Sequence, residues 1–182
     1  MSLTYLEFYS GIGGWSYALK EAIDSLNKLS GDKTDADNPA QHLVIKRLGA
    51  YDHSDLCNKV LHYNVPEIGG DDEQKNASST AKERSRKKRM KSLSKTVSIE
   101  SLTKKNLEDK SAIIWMMSPP CQPHTRQHVN QEEDIQDPRS KSFIHLCDMI
   151  STMEWRTLPN IILLENVVGF ENVSSKRINL ML

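Results

Sequence analysis

The chain has 182 residues, with 24 basic and 24 acidic side chains that give a formal net charge of zero. This length suits one domain with a real core, and the balanced charge excludes a globally basic, nucleic-acid-binding composition. No apolar run approaches the roughly 18 residues of a membrane-spanning helix, and the N-terminus lacks a signal-peptide pattern. The cysteines are widely spaced and form no CxxC pair, which argues against disulfides and a cysteine zinc site and predicts reduced thiols: Cys57, Cys121 and Cys147.

The N-terminal part predicts a strand, a glycine-rich turn and a helix. Residues 5–9 form an aromatic run of strand length, which is broken by Ser10-Gly11-Ile12-Gly13-Gly14. Apolar residues then recur at helical spacing from Trp15 to Leu26. The first β-α unit is therefore expected here.

A second strand is predicted over 43–51, followed by Asp52 at its end. Ser54 or Asp55 is expected to cap the next helix. The apolar positions of that helix are Leu56, Val60 and Leu61.

Residues 70–96 differ sharply in composition from the rest of the chain. Acidic residues give way to serine and threonine and then to a basic run over 84–91, with almost no large apolar side chains. We expect a disordered basic insertion rather than a second domain. The basic run is either a nucleic-acid contact or localisation signal, or simply a solvated segment.

The C-terminal half predicts two buried strands around one helix. Strands are expected over 112–117 and 161–164, and a helix over 140–153 with Phe143, Leu146, Cys147 and Ile150 inward. Continuous apolar strands that alternate with amphipathic helices predict an α/β fold with a mostly parallel sheet covered on both faces.

Four polar or glycine-rich segments follow these strands: 10–14, Asp52, 119–122 and 165–166. In parallel sheets, functional residues collect beyond the carboxyl ends of the strands. The glycine turn lacks the spacing of a P-loop and of a full dinucleotide fingerprint, so it is either a cofactor turn or a plain connection. Asp52 is suited either to hold ribose hydroxyls or to cap a helix.

Cys121 stands apart from the other thiols because two prolines place it in a loop just beyond a buried strand. Such a thiol can become nucleophilic, and Arg126 offers positive potential nearby in the sequence. Cys57 and Cys147 are expected to be small core residues. Glu165 emerges from the last strand, and a thiolate paired with a glutamate suits addition to C6 of cytosine with proton delivery at N3.

Three segments resemble the cytosine-5 methyltransferases in order and spacing, in particular the eukaryotic branch that methylates tRNA-Asp. They are Leu6-Glu7-Phe8-Tyr9-Ser10-Gly11-Ile12-Gly13-Gly14, Met117-Ser118-Pro119-Pro120-Cys121-Gln122-Pro123-His124-Thr125-Arg126 and Leu163-Leu164-Glu165-Asn166-Val167-Val168-Gly169-Phe170-Glu171. The resemblance implies a Rossmann-like S-adenosylmethionine-dependent fold. It also implies methyl transfer to C5 of cytosine in tRNA or DNA.

The resemblance further implies a role for each matching position. Cys121 would attack C6, Glu165 would bind N3 and the amino group, and Arg126 would order the catalytic loop. Asp52 would hold the ribose. The remaining positions of the S-adenosylmethionine site would be Phe8, Ser10, Gly11, Ile12, Gly13, Gly14, Ile99, Glu100, Ser118 and Pro120.

The chain departs from the family pattern after residue 171. A further Arg-x-Arg element, the target-recognition region and the C-terminal cofactor segment are not found. Residues 1–182 are therefore interpreted as a partial catalytic domain whose sheet is incomplete at the C-terminus. The alternative function is a catalytically inactive binding or regulatory fragment, and a Rossmann oxidoreductase ranks third because it leaves 119–122 unexplained. We expect a monomer of the nucleus or cytoplasm that binds tRNA or DNA, no metal and no membrane.

Overall fold

A computed structural model of the chain describes residues 2–31, 42–64, 97–120 and 140–168. The predicted insertion at 70–96, Cys121 and Arg126 lie outside these residues. The described elements are β1 (Ser2–Phe8), α1 (Gly14–Gly31), β2 (Val44–Tyr51), α2 (Asp55–Asn64), a 3-10 turn (Ile99–Ser101), α3 (Lys104–Glu108), β3 (Ile114–Met117), α4 (Lys141–Thr152) and β4 (Ile161–Leu164).

The four strands form one sheet in the order β2-β1-β3-β4, and every neighbouring pair is parallel. The predicted parallel α/β fold is thus confirmed. All four carboxyl ends meet at one edge of the sheet, because parallel strands run in the same direction. No helix among the described residues is long and apolar enough to cross a membrane.

Hydrophobic clusters cover both faces of the central strands β1 and β3, whereas β4 is exposed. Leu6 and Phe8 of β1 face the side on which α4, α3 and the 3-10 turn pack, where Leu146 and Leu107 are fully buried. Tyr5 faces the opposite side, where Leu61 of α2 and residues of α1 pack. This alternation follows from the two-residue period of a strand and buries β1 on both sides.

A bulge interrupts the pairing of β1 with β2. Tyr5 pairs with Arg47 while Leu6 pairs with Gly49, so Leu48 is an extra residue in β2. A Cβ atom at Gly49 would lie 2.8 Å from the Tyr51 hydroxyl oxygen and 3.1 Å from Leu6 Cδ2. Glycine is therefore required for the Tyr51 ring to lie over β2, where it stacks on Phe8 at a centroid distance of 5.4 Å.

Most predicted elements are confirmed, and the bounds of β4 agree with the prediction. The inward positions predicted for the 140–153 helix are all buried in α4. Several predicted core positions are wrong. All four residues of β4 are exposed, because β4 lies at the edge of the described sheet. Cys57 is only partly buried, and Leu56 is 71% exposed. Asn58 takes the inward face of α2 instead, since its Nδ2 donates to the Asp52 carbonyl over 3.0 Å. Two residues along a helix correspond to a rotation of about 200°, which turns Leu56 to solvent.

The two leucines of α2 differ in burial, so truncating each of them gives a matched pair of variants. Leu61→Ala should lower the free energy of unfolding by about 2–5 kcal/mol, because a fully buried side chain leaves a cavity. Leu56→Ala should change it by no more than about 0.5 kcal/mol. Urea denaturation of both variants measures the difference, and equal losses would contradict the described orientation of α2.

Candidate functional site

The ends of β1, β3 and β4 are joined by backbone hydrogen bonds. The Ser118 amide donates to the Phe8 carbonyl over 3.4 Å, and the Glu165 amide donates to the Met117 carbonyl over 2.9 Å. These bonds bring the three motif segments to the same edge of the sheet, as predicted from the parallel strands. Cys121 follows Ser118 by three residues, outside the described residues.

The glycine turn between β1 and α1 uses backbone conformations that favour glycine. Gly11 has φ of 50° and Gly13 has φ of 96°. The Gly13 amide donates to the Ser10 carbonyl over 2.8 Å, which closes the turn just before α1 begins. Tyr9 also has a positive φ, 57°, which is uncommon for a non-glycine residue.

A pocket of about 330 Å³ opens beside this turn. Its volume lies in the range of small-molecule sites. The residues that line it are Tyr9, Ser10, Gly14, Trp15 and Ser118. Of the predicted cofactor positions, the structure therefore brings Ser10, Gly14 and Ser118 together around one cavity.

The Ser10 side chain has an unusual environment within this lining. The residue is 4% exposed, and its hydroxyl oxygen has no hydrogen-bond partner among the described residues. A buried hydroxyl without a partner costs free energy. Such a group beside a cavity is therefore a candidate ligand-binding group.

Asp52 connects the glycine turn to the start of α2. The Gly11 amide donates to Oδ2 over 2.9 Å, and the Ser54 amide donates to Oδ1 over 2.8 Å. Ser54 caps α2 with its own hydroxyl, which accepts from the Cys57 amide at 3.3 Å. The carboxylate thus fixes the turn in addition to supporting the helix start. Each oxygen retains an acceptor site, so its predicted ribose contact stays a prediction.

The other predicted cofactor positions do not line the pocket. Phe8 and Ile99 are buried in the hydrophobic core, whereas Ile12 is 56% exposed. Glu100 is exposed, and the hydrogen bond from Ser98 lowers the pKa of its carboxyl. The remaining positions are Gly11 and Gly13 in the turn and Pro120 after β3. Their roles stay predictions.

Residues just after β4 contact Pro119, which precedes Cys121 by two residues. Glu165 is exposed at the end of β4. Asn166 donates from Nδ2 to the Pro119 carbonyl over 3.0 Å and so holds the first proline in place. Sequence reasoning assigned no role to Asn166, although its position beside Glu165 in the third motif was a signal for one.

Two aromatic residues of the turn were also missed. Trp15 donates from Nε1 to Ser118 Oγ over 2.7 Å, and Tyr9 donates from its hydroxyl to Ser142 Oγ over 3.0 Å. Burial raises the pKa of the Tyr9 phenol, so the group stays protonated and remains a donor. These contacts link the turn to β3 and α4.

A buried polar network lies beneath the start of α1. Glu7 is fully buried and accepts a hydrogen bond from the Ser16 hydroxyl, which in turn accepts from Tyr5 at 3.0 Å. Burial raises the pKa of the Glu7 carboxyl, although the Ser16 hydrogen bond and the nearby Arg47 charge lower it in part. Burial also raises the pKa of Tyr5 to about 12. The network therefore places a titratable carboxyl in the core below the pocket.

The raised pKa of Glu7 predicts a pH-dependent stability. The folded chain holds this proton more tightly than the unfolded chain, so the free energy of unfolding falls as pH rises from the ordinary glutamate pKa through the raised folded value. Glu7→Gln removes this titration and keeps an acceptor for Ser16. Urea denaturation across this pH range should therefore show the variant gaining stability relative to the wild type as pH rises. Glu154→Gln, at an exposed position, is the matched control, and parallel curves for all three proteins would contradict the prediction.

No family model matches the chain, but individual proteins match it along almost its whole length. A tRNA (cytosine(38)-C(5))-methyltransferase of Homo sapiens is 34% identical over 175 residues, covering 96% of this chain and 32% of the relative. A DNA (cytosine-5)-methyltransferase of Dictyostelium discoideum is 38% identical over 174 residues, covering 95% and 33%. The crystal structure of the S. pombe Dnmt2 methyltransferase matches with a TM-score of 0.58 at 26% identity, covering 98% of this chain and 40% of that one.

These matches confirm the resemblance drawn from the three motifs. The chain is a homologue of the cytosine-5 methyltransferases, and its parallel α/β sheet is consistent with their Rossmann-like fold. It spans about one third of the length of the curated relatives that it matches.

Proposed function

We propose that this chain, as a homologue of the cytosine-5 methyltransferases, binds a methyl donor and presents Cys121 to a cytosine base. The observation that carries the proposal is the meeting of the three motif segments at one edge of the sheet. Backbone bonds join Phe8 to Ser118 and Met117 to Glu165, while the glycine turn and Ser118 line one pocket. The donor pocket, residues 118–120 that precede Cys121, and Glu165 thus belong to one sheet edge.

We propose S-adenosylmethionine as the donor, and the turn fits such a ligand. The pocket has a small-molecule volume, the buried Ser10 hydroxyl lacks a partner among the described residues, and Gly14 leaves open space at its Cβ position. Ser10, Gly14 and Ser118 would hold the ligand, with Asp52 contributing from the adjacent loop. When bound, the donor would supply an electrophilic methyl group on a sulfonium, whose S–CH3 bond breaks on transfer and leaves a neutral thioether.

The side chains of this chain would prepare the cytosine for methylation. The Cys121 thiolate would add to C6, forming a C–S bond and shifting the electron pair to C5, while Glu165 would hydrogen-bond N3 and stabilise the charge that develops there. After C5 is methylated, loss of its proton to a base would let the C–S bond break and return the thiolate. Arg126 would order the loop that carries the thiol.

We propose cytosine in tRNA as the substrate, and cytosine in DNA as the second choice. The tRNA (cytosine(38)-C(5))-methyltransferase relative is 34% identical to this chain, and the DNA (cytosine-5)-methyltransferase relative is 38% identical. A base in a tRNA loop leaves its stack more easily than a base in a duplex, which favours RNA. We place the activity in the nucleus or cytoplasm, where thiols such as that of Cys57 stay reduced.

The Ser10 hydroxyl gives a test of donor binding that does not depend on turnover. Ser10→Ala removes a buried group with no partner among the described residues, so the melting temperature should stay equal or rise. The same change should weaken S-adenosylmethionine binding about 5- to 10-fold in calorimetry, the loss of roughly one hydrogen bond. Lower stability with unchanged affinity would show instead that the hydroxyl is structural.

Methyl transfer itself is tested with labelled S-adenosylmethionine and either tRNA-Asp or a DNA duplex. The wild type should label tRNA more strongly than DNA, and Cys121→Ala should lower the labelling at least about 1000-fold because the nucleophile is lost. The matched control is Cys57→Ala, whose thiol is only half-buried on α2 and which should retain activity.

The outcomes of this assay separate the two functions. Donor binding without transfer to either nucleic acid would support the alternative, a donor-binding fragment without catalysis. Labelling that persists in Cys121→Ala would overturn the covalent mechanism. Stronger labelling of DNA than of tRNA would reverse the proposed substrate.

A further inference from the structure

The glycine turn holds the chain on both sides of the segment that contains Cys121. Trp15, at the start of α1, donates to Ser118 Oγ over 2.7 Å, and Ser118 precedes Cys121 by three residues. Tyr9, at the start of the turn, donates to Ser142 Oγ over 3.0 Å, and Ser142 lies in the first turn of α4. The two described ends that bracket residues 121–139 therefore both bond to the same turn.

Both bonds involve residues of the pocket wall. Tyr9, Trp15 and Ser118 are three of the five residues that line it. Ser142 is 7% exposed, so its bond to Tyr9 is shielded from water. Tyr9 adopts a left-handed backbone conformation that costs a non-glycine residue free energy, and such strain persists where the surrounding structure requires it. That conformation belongs to the residue whose hydroxyl reaches α4.

We propose that Trp15 and Tyr9 are positioning residues that fix the two ends of the Cys121 segment against the donor turn. The proposal rests on the proposed function in one respect, the assignment of Cys121 as the nucleophile. Reaction between a nucleophile and its target requires a placement within a fraction of an ångström, and a displacement of about 1 Å can lower a rate about 100-fold. Each side chain acts through a hydrogen bond and has no role of its own in the chemistry.

Conservative variants separate the hydrogen bond from the aromatic ring. Trp15→Phe and Tyr9→Phe keep an aromatic ring in the pocket wall and remove only the N–H or O–H group that donates the hydrogen bond. The matched controls are Trp155→Phe and Tyr63→Phe, at positions that are 73% and 68% exposed. Three quantities are measured for each: the dissociation constant of S-adenosylmethionine, the melting temperature, and the rate of covalent adduct formation with RNA that contains 5-fluorocytosine.

We expect each pocket variant to slow adduct formation about 10-fold or more. Donor affinity should stay within about threefold, because the rings remain. The controls should behave as the wild type does. Adduct rates equal to the wild type would overturn the proposal, and so would a loss that follows the donor affinity or the melting temperature across the variants.

A second readout needs neither RNA nor donor, so it stands even if the wild type forms no adduct and the proposed function fails. Alkylation of Cys121 by iodoacetamide is followed over pH by peptide mass spectrometry, with Cys57 of the same molecule as the internal control. Trp15→Phe and Tyr9→Phe should change the Cys121 rate about threefold or more and leave the Cys57 rate unchanged, because only Cys121 lies between the two residues that these side chains bond, Ser118 and Ser142. Unchanged Cys121 rates in both variants would overturn the positioning role.

Discussion

The contact on which the site depends is the one between the Asp52 carboxylate and the two loops that it joins. One oxygen receives the Gly11 amide and the other receives the Ser54 amide, so a single side chain fixes the turn after β1 relative to the loop after β2. Because Asp52 is 8% exposed, water competes little for these bonds. The positive φ of Gly11 turns its amide towards the carboxylate, and the chain then enters α1 with Gly14 and Trp15 at the pocket. A glycine turn without this anchor would be a plain connection.

The fold was predictable where one local pattern decided the outcome. The bounds of β4 and the inward face of α4 follow from hydrophobicity alone, although the four apolar side chains of β4 are exposed at the sheet edge. The pattern failed at Leu56, where the apolar character predicts burial. A hydrogen bond from Asn58 to the Asp52 carbonyl sets the rotation of α2 instead, and a partner six residues away is not visible in helical periodicity. A directional polar contact outweighed a non-directional apolar preference.

The sequence predicts where the site lies in the fold, but it does not predict most of the hydrogen bonds within the site. Strand ends of a parallel sheet must share an edge, so Ser10, Gly14 and Ser118 could be placed near one another from the sequence. Trp15 and Tyr9 could not, because an aromatic residue at helical or strand spacing predicts the core. Their partners lie 103 and 133 positions away along the chain, and only the folded sheet brings them together. Long-range hydrogen bonds of this kind leave no periodic signal in a single sequence.

The network of Tyr5, Ser16 and Glu7 explains why α1 presents Trp15 to the pocket. Apolar packing of a helix on a sheet has no direction and tolerates some rotation about the helix axis, whereas hydrogen bonds require defined geometry. Ser16 accepts from Tyr5 and donates to Glu7, so the first turn of α1 is fixed to β1 at a buried position. The next residue back is Trp15, rotated by about 100° around the helix, where its indole reaches Ser118. The buried Glu7 carboxyl of β1 thus determines the rotation of α1. Through this rotation it sets the position of the Trp15 indole, whose N–H bonds Ser118 at the end of β3.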